Sequence, residues 1–315
     1  MTTLKRFMIS FMAFVSLFTA NNAKRYADYC GDYDFPRIAA EEQQENTLRI
    51  MSFNIRSSDV NGTPLSKRIG VGVRQILEVM PDSVGIQEAT AQWMNNLIPE
   101  LSLLYGWVGI DRDKGGDPRV GGESCPVFYL KAKFKLLDSG NFWISDTPAE
   151  PSFGPGAACR RICTWAKLKN RSTGEIYVHV NSHFDHISEE ARVQGGQIVS
   201  RFIEEHFSDV PVVFTADMNT DQRSETYATM TQSLIDARLT AVDCVTYGTF
   251  HGGQDPNLRA DRYLDYVLCS ADFDAAAYRT VTKGVDGRFS SDHFPIYADL
   301  ISKAETDQPI QEETT

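Results

Sequence analysis

Apolar residues recur along this chain in two periods. Leu48–Ile55, Ser83–Gln87, Pro126–Leu130, Phe134–Leu137, Arg161–Leu168, Ile176–Ser182, Val210–Thr215, Tyr263–Cys269 and Phe294–Leu300 are short runs, several rich in β-branched or aromatic residues and separated by turn residues, and they read as strands. Elsewhere the spacing lengthens to that of a helix. In Leu65–Met80 the residues Ile69, Val73, Ile76, Leu77 and Met80 share one face, and Pro81 stops the segment. Ala89–Leu101 puts Trp93, Leu97 and Leu101 on one side, and Glu189–Phe207 reads as a third helix. The Gly/Asp-rich stretch 106–123 and the Pro/Gly-rich stretch 145–158 read as long loops, which in compact domains are often functional. Strands in both halves, helices between them and no domain-scale linker predict one α/β domain over residues 47–302, a sandwich of two sheets with helices outside.

The ends of the chain read differently. Lys5 and Arg6 precede a short apolar run, Phe7 to Ala20, with small residues at Ala20 and Ala23. That is the layout of an export signal over residues 1–23, too short to span a bilayer comfortably. Its removal takes the formal charge from −11 to −13 by loss of Lys5 and Arg6. Residues 24–46 are polar and irregular and read as an arm, and the acidic tail 303–315 reads as disordered. The expected setting is outside the cytoplasm, secreted or periplasmic. The acidic balance argues against a long polyanion as partner, because nonspecific nucleic-acid affinity comes from Lys and Arg neutralising phosphates. Six cysteines (Cys30, Cys125, Cys159, Cys163, Cys244, Cys269) permit disulfides in an exported chain. Only Cys159 and Cys163 are close, without a matching Cys or His pair, which argues against a structural zinc site.

Polar residues stand at the ends of the apolar strands. Asn54, Gln87 with Glu88, His183, Asp217 with Asn219, Asp265, and Asp292 with His293 occupy such places. One of them alone would be an ordinary cap or turn residue. Six strand ends carrying carboxylate, carboxamide and imidazole together supply ligands for a hard cation, a base and hydrogen-bond donors.

These segments, Ser52-Phe53-Asn54-Ile55-Arg56, Gly85-Ile86-Gln87-Glu88, Asn181-Ser182-His183-Phe184-Asp185-His186, Thr215-Ala216-Asp217-Met218-Asn219, Leu264-Asp265-Tyr266-Val267 and Ser290-Ser291-Asp292-His293-Phe294-Pro295, follow one another as in the endonuclease/exonuclease/phosphatase superfamily, which the chain resembles from about residue 48 to 300. The resemblance implies a four-layered α/β sandwich and a Mg²⁺-dependent phosphoesterase, with Mn²⁺ as a substitute. It implies Glu88 as principal metal ligand, assisted by Asn54 and Asp292. Asp217 would position and deprotonate the attacking water, with Asn219 steering it. His183 and His293 would donate to the non-bridging oxygens, and Asp265 would orient His293. Arg56 stands where the abasic-site endonucleases carry an acid, and suggests a phosphate contact in place of a further metal ligand. Arg160 and Arg161 form a second candidate phosphate clamp, since guanidinium matches phosphate in a bidentate way. Asp185, His186 and Arg192 are candidates for supporting these groups.

The expected reaction is in-line attack of an Asp217-activated water on the phosphorus of a small-molecule or lipid phosphoester, by a monomer with no obligate protein partner. The alternatives are a secreted deoxyribonuclease-like endonuclease acting on nucleic acid, and a catalytically dead binding module of the same fold.

Overall fold

The computed structural model describes residues 35–60, 62–252 and 261–303. The expected export signal, Cys30 and the acidic tail beyond Lys303 lie outside the described residues. Strand β1 (Leu48–Asn54), helix α1 (Leu65–Val79) and strand β2 (Ser83–Gln87) form a first β-α-β unit whose strands pair in parallel, with Asn54 opposite Gln87. Helix α2 (Ala91–Leu101) follows, and then β3 (Tyr105–Val108) and β4 (Val127–Leu130). The second half opens with β5 (Phe134–Trp143) and β6 (Ile162–Asn170). Strand β7 (Ile176–His183), helix α3 (Glu189–Phe207) and β8 (Val212–Asp217) then repeat the parallel unit, with His183 opposite Asp217. The chain closes through short α4 (Glu225–Met230), β9 (Ile235–Asp236), α5 (Ala237–Thr240) and β10 (Asp243–Val245), then β11 (Asp265–Cys269), β12 (Phe273–Thr280) and β13 (Ile296–Ser302).

The strands make two sheets, seven-stranded in the order β10-β12-β13-β1-β2-β4-β3 and six-stranded in the order β5-β6-β7-β8-β11-β9. Helix α1 buries Leu65, Ile69, Val73, Ile76 and Leu77 with Met51, Phe53, Val84 and Ile86 of the first sheet. Helix α3 buries Val199, Ile203 and Phe207 with Val178, Val180, Phe214 and Ala216 of the second. Between the sheets, Ile50, Val213, Val267, Ile296, Ala298 and Leu300 pack together. Each Val, Leu, Ile, Phe or Met side chain among them contributes about 1.5–3 kcal/mol when fully buried. The result is the four-layered α/β sandwich expected from the sequence. Helix α1 ends at Met80, in the left-handed region at φ 48° with its N–H on the Ile76 carbonyl, and Pro81 cannot continue it.

Besides the four short elements between Glu225 and Val245, which the pattern did not show, three strands differ from the reading. Strand β5 runs six residues past Leu137, β3 occupies the start of the expected 106–123 loop, and β12 arises from a segment with no strand signal. Residues 35–47 form neither helix nor strand; Phe35 is buried against Tyr247, Phe289 and Phe294. Cys125, Cys159, Cys163, Cys244 and Cys269 are free thiols.

One buried titratable group sits between the sheets away from the chemistry. His179 is fully buried, and that burial pushes its pKa down to about 3. The unfolded chain therefore binds one more proton than the folded one between about pH 3 and the ordinary value of 6.5. Stability carried by the neutral ring is full above pH 6.5 and falls by about 1.4 kcal/mol per unit as pH drops through that window, roughly 2 kcal/mol from pH 7 to 5. Urea unfolding at both pH values should show this loss, and His179→Gln should shrink it. An unchanged loss in the variant contradicts the assignment.

Candidate active site

The carboxyl ends of β1, β2, β7 and β8 meet at one end of the sandwich, so the two β-α-β units deliver their last residues to a common point. Asn54 ends β1, Glu88 follows β2, His183 ends β7 and Asp217 ends β8. The backbone turns sharply just beyond three of these strands. Arg56 (φ 59°), Glu88 (φ 60°) and Asn219 (φ 51°) all adopt the left-handed region, uncommon for side-chain-bearing residues. Strain of this kind clusters where surroundings force a side chain into a working position.

Asn54 is the hinge of the cluster. Its Nδ2 donates to Glu88 Oε1 at 3.0 Å and to Asp217 Oδ2 at 2.8 Å, and its Oδ1 accepts the Arg56 N–H at 3.0 Å. Glu88 Oε2 takes both the N–H (2.8 Å) and the hydroxyl (2.7 Å) of Ser57. Burial would raise the Glu88 pKa, but these bonds, the Asn54 amide and the Arg56 charge together hold it below the usual range. Arg56 Nη1 lies 3.9 Å from Glu88 and its Nε 3.6 Å from Asp292.

On the second sheet, Asp217 Oδ1 accepts the Asn219 N–H at 2.8 Å, while Oδ2 faces His183 Nε2 at 3.5 Å and His293 Nε2 at 3.7 Å. His293 Nδ1 is 2.8 Å from Asp265 Oδ2, so the ring is held between two carboxylates. The two histidines are driven in opposite directions. Burial disfavours the charged ring of each, but at His293 the adjacent Asp265 and Asp217 overcome it and raise the pKa. At His183, burial and then the charges of Arg161 and Arg112 lower it well below its ordinary value. Asn219 Nδ2 donates to His183 Nε2 at 2.8 Å, which makes that nitrogen the acceptor. Burial raises the pKa of Asp217.

Two sets of residues could hold a cation. Asp217, Asp265 and His293 present ligand atoms within 4.8 Å of one another, but the His293 ring is already engaged on Asp265. The other side offers the Glu88 carboxylate, the oxygen ligand a hard divalent ion prefers; there Asn54 presents its Nδ2, and its Oδ1 would reach an ion only after the amide turns over. A second cluster, Cys159, Asp185 and His186, also lies within 4.8 Å. There Asp185 accepts the N–H groups of Ala158, Ile187 and Ser188, and Arg161 Nη2 sits 2.9 Å from His186 Nδ1, so a guanidinium already fills the cation's place.

Arg161 is buried, its Nε 3.8 Å from Asp185 Oδ2 and its Nη1 without a hydrogen-bond partner, whereas Arg160 turns outward over the Phe153 ring, 4.0 Å from Asp113. The two arginines expected as one clamp thus point different ways, and Arg160 stands apart from the cluster. Arg192 Nη1 donates to the Asp185 carbonyl at 2.9 Å. The pattern reading missed Ser57, a loop serine with no motif signal. It also missed the Arg112–Glu123 pair (2.7 Å), whose charges act on His183 and Glu88.

Comparison with known proteins agrees with this geometry. No curated protein sequence matches the chain. Among solved structures, an endonuclease/exonuclease/phosphatase from Bacteroides vulgatus is 32% identical with a TM-score of 0.76, covering 82% of this chain and 100% of its own. The Bacteroides thetaiotaomicron mannosyl-6-phosphatase is 28% identical with a TM-score of 0.74, covering 81% and 99%. The human nocturnin catalytic domain, 20% identical with a TM-score of 0.64 and covering 82% and 95%, shares the fold. The sequence profile described as the Endonuclease/Exonuclease/phosphatase family matches residues 51–293, and with the sandwich and the converging strand ends this makes the chain a phosphoester hydrolase of that family.

Proposed function

We propose that this protein is an exported, Mg²⁺-dependent hydrolase of small, hydroxyl-rich phosphoesters. The observation that carries the reading is the meeting, through the Asn54 amide, of the Glu88 carboxylate with the Asp217 carboxylate and the His293–Asp265 pair. Glu88 and Asn54 would hold the ion, with Asp292 behind Arg56. Mg²⁺ there supplies Lewis-acid stabilisation of charge on the phosphoryl oxygens. Asp217 takes the proton of the attacking water, and Asn219 fixes its carboxylate. His293, kept cationic by Asp265, donates to a non-bridging oxygen as charge builds. Neutral His183, whose Nε2 accepts from Asn219, has only its Nδ1–H to donate. Arg56 and Arg161 bring further positive charge to the phosphate. Positioning and electrostatics supply most of the acceleration, as is usual in phosphoryl transfer.

The substrate class is supported by the 28% identical mannosyl-6-phosphatase and by the formal charge of −11, which disfavours long polyanions. The test is phosphate release by the purified chain with Mg²⁺ from sugar phosphates and lipid phosphoesters, beside a plasmid-nicking assay. Release from sugar phosphates with intact plasmid is expected. Nicking without phosphate release points instead to a nuclease, and neither activity to a scaffold that has lost its chemistry.

A further inference from the structure

Directly behind the site lies a layer of buried polar residues that the proposed chemistry does not use. Alternate residues of a strand face the same side. One step behind Asn54, His183 and Asp217 therefore stand Ser52, Asn181 and Thr215, with Gln87 at the end of β2; a step further back stand Ser83 and His179. All six are 0% exposed. Beside it, between the sheets, lies the apolar cluster of Ile50, Val213, Val267 and Ile296.

The hydrogen bonds of this layer can be assigned one direction. Asn181 Nδ2 donates to the Ile86 carbonyl (2.9 Å) and the Pro126 carbonyl (3.0 Å), so Asn181 Oδ1 must accept. It accepts from Gln87 Nε2 at 2.7 Å and from the Thr215 hydroxyl at 3.0 Å. Thr215 Oγ1, its proton committed, accepts from His179 Nε2 at 2.8 Å. Ser83 accepts from the Tyr177 hydroxyl at 3.0 Å and gives its own proton to His179 Nδ1 at 2.8 Å. Five of these hydrogen bonds, from Gln87 to Asn181, from Asn181 to the Ile86 and Pro126 carbonyls, from Ser83 to His179 and from Tyr177 to Ser83, cross from one sheet to the other. Gly85 makes room for them, since a Cβ there would collide with Thr215 Oγ1 and Asn181 Oδ1.

The site itself is divided between the sheets. Asn54 and Glu88 belong to the seven-stranded sheet, and His183, Asp217 and Asp265 to the six-stranded one. Apolar layers tolerate small relative shifts, whereas short, directed hydrogen bonds specify one arrangement. We infer that Gln87 and Asn181, with Thr215 orienting the Asn181 amide from the neighbouring strand of the same sheet, are positioning residues that fix the two sheets in register, so that the cation half and the base half meet at one phosphorus. This rests on the hydrolase reading above.

Thr215→Val removes the hydroxyl at nearly constant shape, Gln87→Met removes the amide, and Thr215→Ser keeps the hydroxyl. At a temperature where all are folded, Thr215→Val and Gln87→Met should lower kcat about tenfold to hundredfold, the cost of an ångström-scale misplacement. KM should stay within about threefold by the same reasoning, since ground-state contacts are untouched. Calorimetric Mg²⁺ affinity of Thr215→Val should stay at the wild-type value, because Glu88 and Asn54 remain, and Thr215→Ser should restore kcat. If Thr215→Val does not fold, Gln87→Met decides. Variants that melt earlier yet keep the wild-type kcat overturn the inference. A wild-type protein that hydrolyses none of the esters overturns the functional reading instead, and this one with it.

Discussion

Asp217→Asn is expected to lower kcat by about 10²–10⁴-fold, the range for loss of a general base, while leaving the fold intact. The amide has nearly the shape of the carboxylate, and its Oδ1 can still take the Asn219 N–H now accepted at 2.8 Å. What is lost is the group facing both histidines, at 3.5 and 3.7 Å, where a water attacking phosphorus would give up its proton. The melting temperature should change little, because relief of a buried carboxylate is offset by an amide nitrogen facing the Asn54 Nδ2 donor, now 2.8 Å from Oδ2. A buried carboxylate costs free energy in its charged form, and Asp217 is 1% exposed with its pKa raised by that burial. Phosphate-release kinetics beside a thermal melt measure both effects. An Asp217→Asn protein that retains wild-type turnover removes this residue from the reaction.

The second large effect concerns the cation. Chelation should silence the enzyme, and added Mg²⁺ should restore it. Glu88→Gln should weaken Mg²⁺ binding by at least about tenfold to hundredfold, the loss seen even when a residue supporting a ligand is removed. Gln keeps an oxygen for the Ser57 N–H and hydroxyl, now at 2.8 and 2.7 Å, so the loop after β2 should stay in place. Titration calorimetry on the variant and the parent gives the comparison directly. Equal affinity in the two would move the cation to the Asp217–Asp265–His293 side of the site.

The sequence showed the site residues more clearly than it showed some of the strands around them. Polar side chains closing apolar strands are few enough to stand out, and Asn54, Glu88, His183, Asp217, Asp265 and His293 all converge. Strand β12 was invisible because its sequence, Phe-Asp-Ala-Ala-Ala-Tyr-Arg-Thr, is poor in strand-forming residues; pairing with β13 and burial of seven of its eight positions outweigh that weakness. Strand β3, four residues long, was lost in a glycine-rich stretch. The opposed directions of Arg160 and Arg161 follow from the alternation of an extended backbone, which sends neighbouring side chains to opposite faces. Ser57 gave no signal because its role depends on Glu88 folding back onto its loop, a contact across 31 positions of sequence.

The left-handed backbone at Arg56, Glu88 and Asn219 carries an evolutionary consequence. Glycine occupies that conformation without steric penalty, whereas Arg56 and Glu88 give up about 1–2 kcal/mol there and Asn219, of a residue type that tolerates it, less. Selection for thermal endurance alone would thus draw all three positions toward glycine, erasing the guanidinium, the carboxylate and the carboxamide together. Robustness and reactivity compete at the same three codons, and a lineage that keeps all three side chains has accepted a softer fold as a condition of its chemistry.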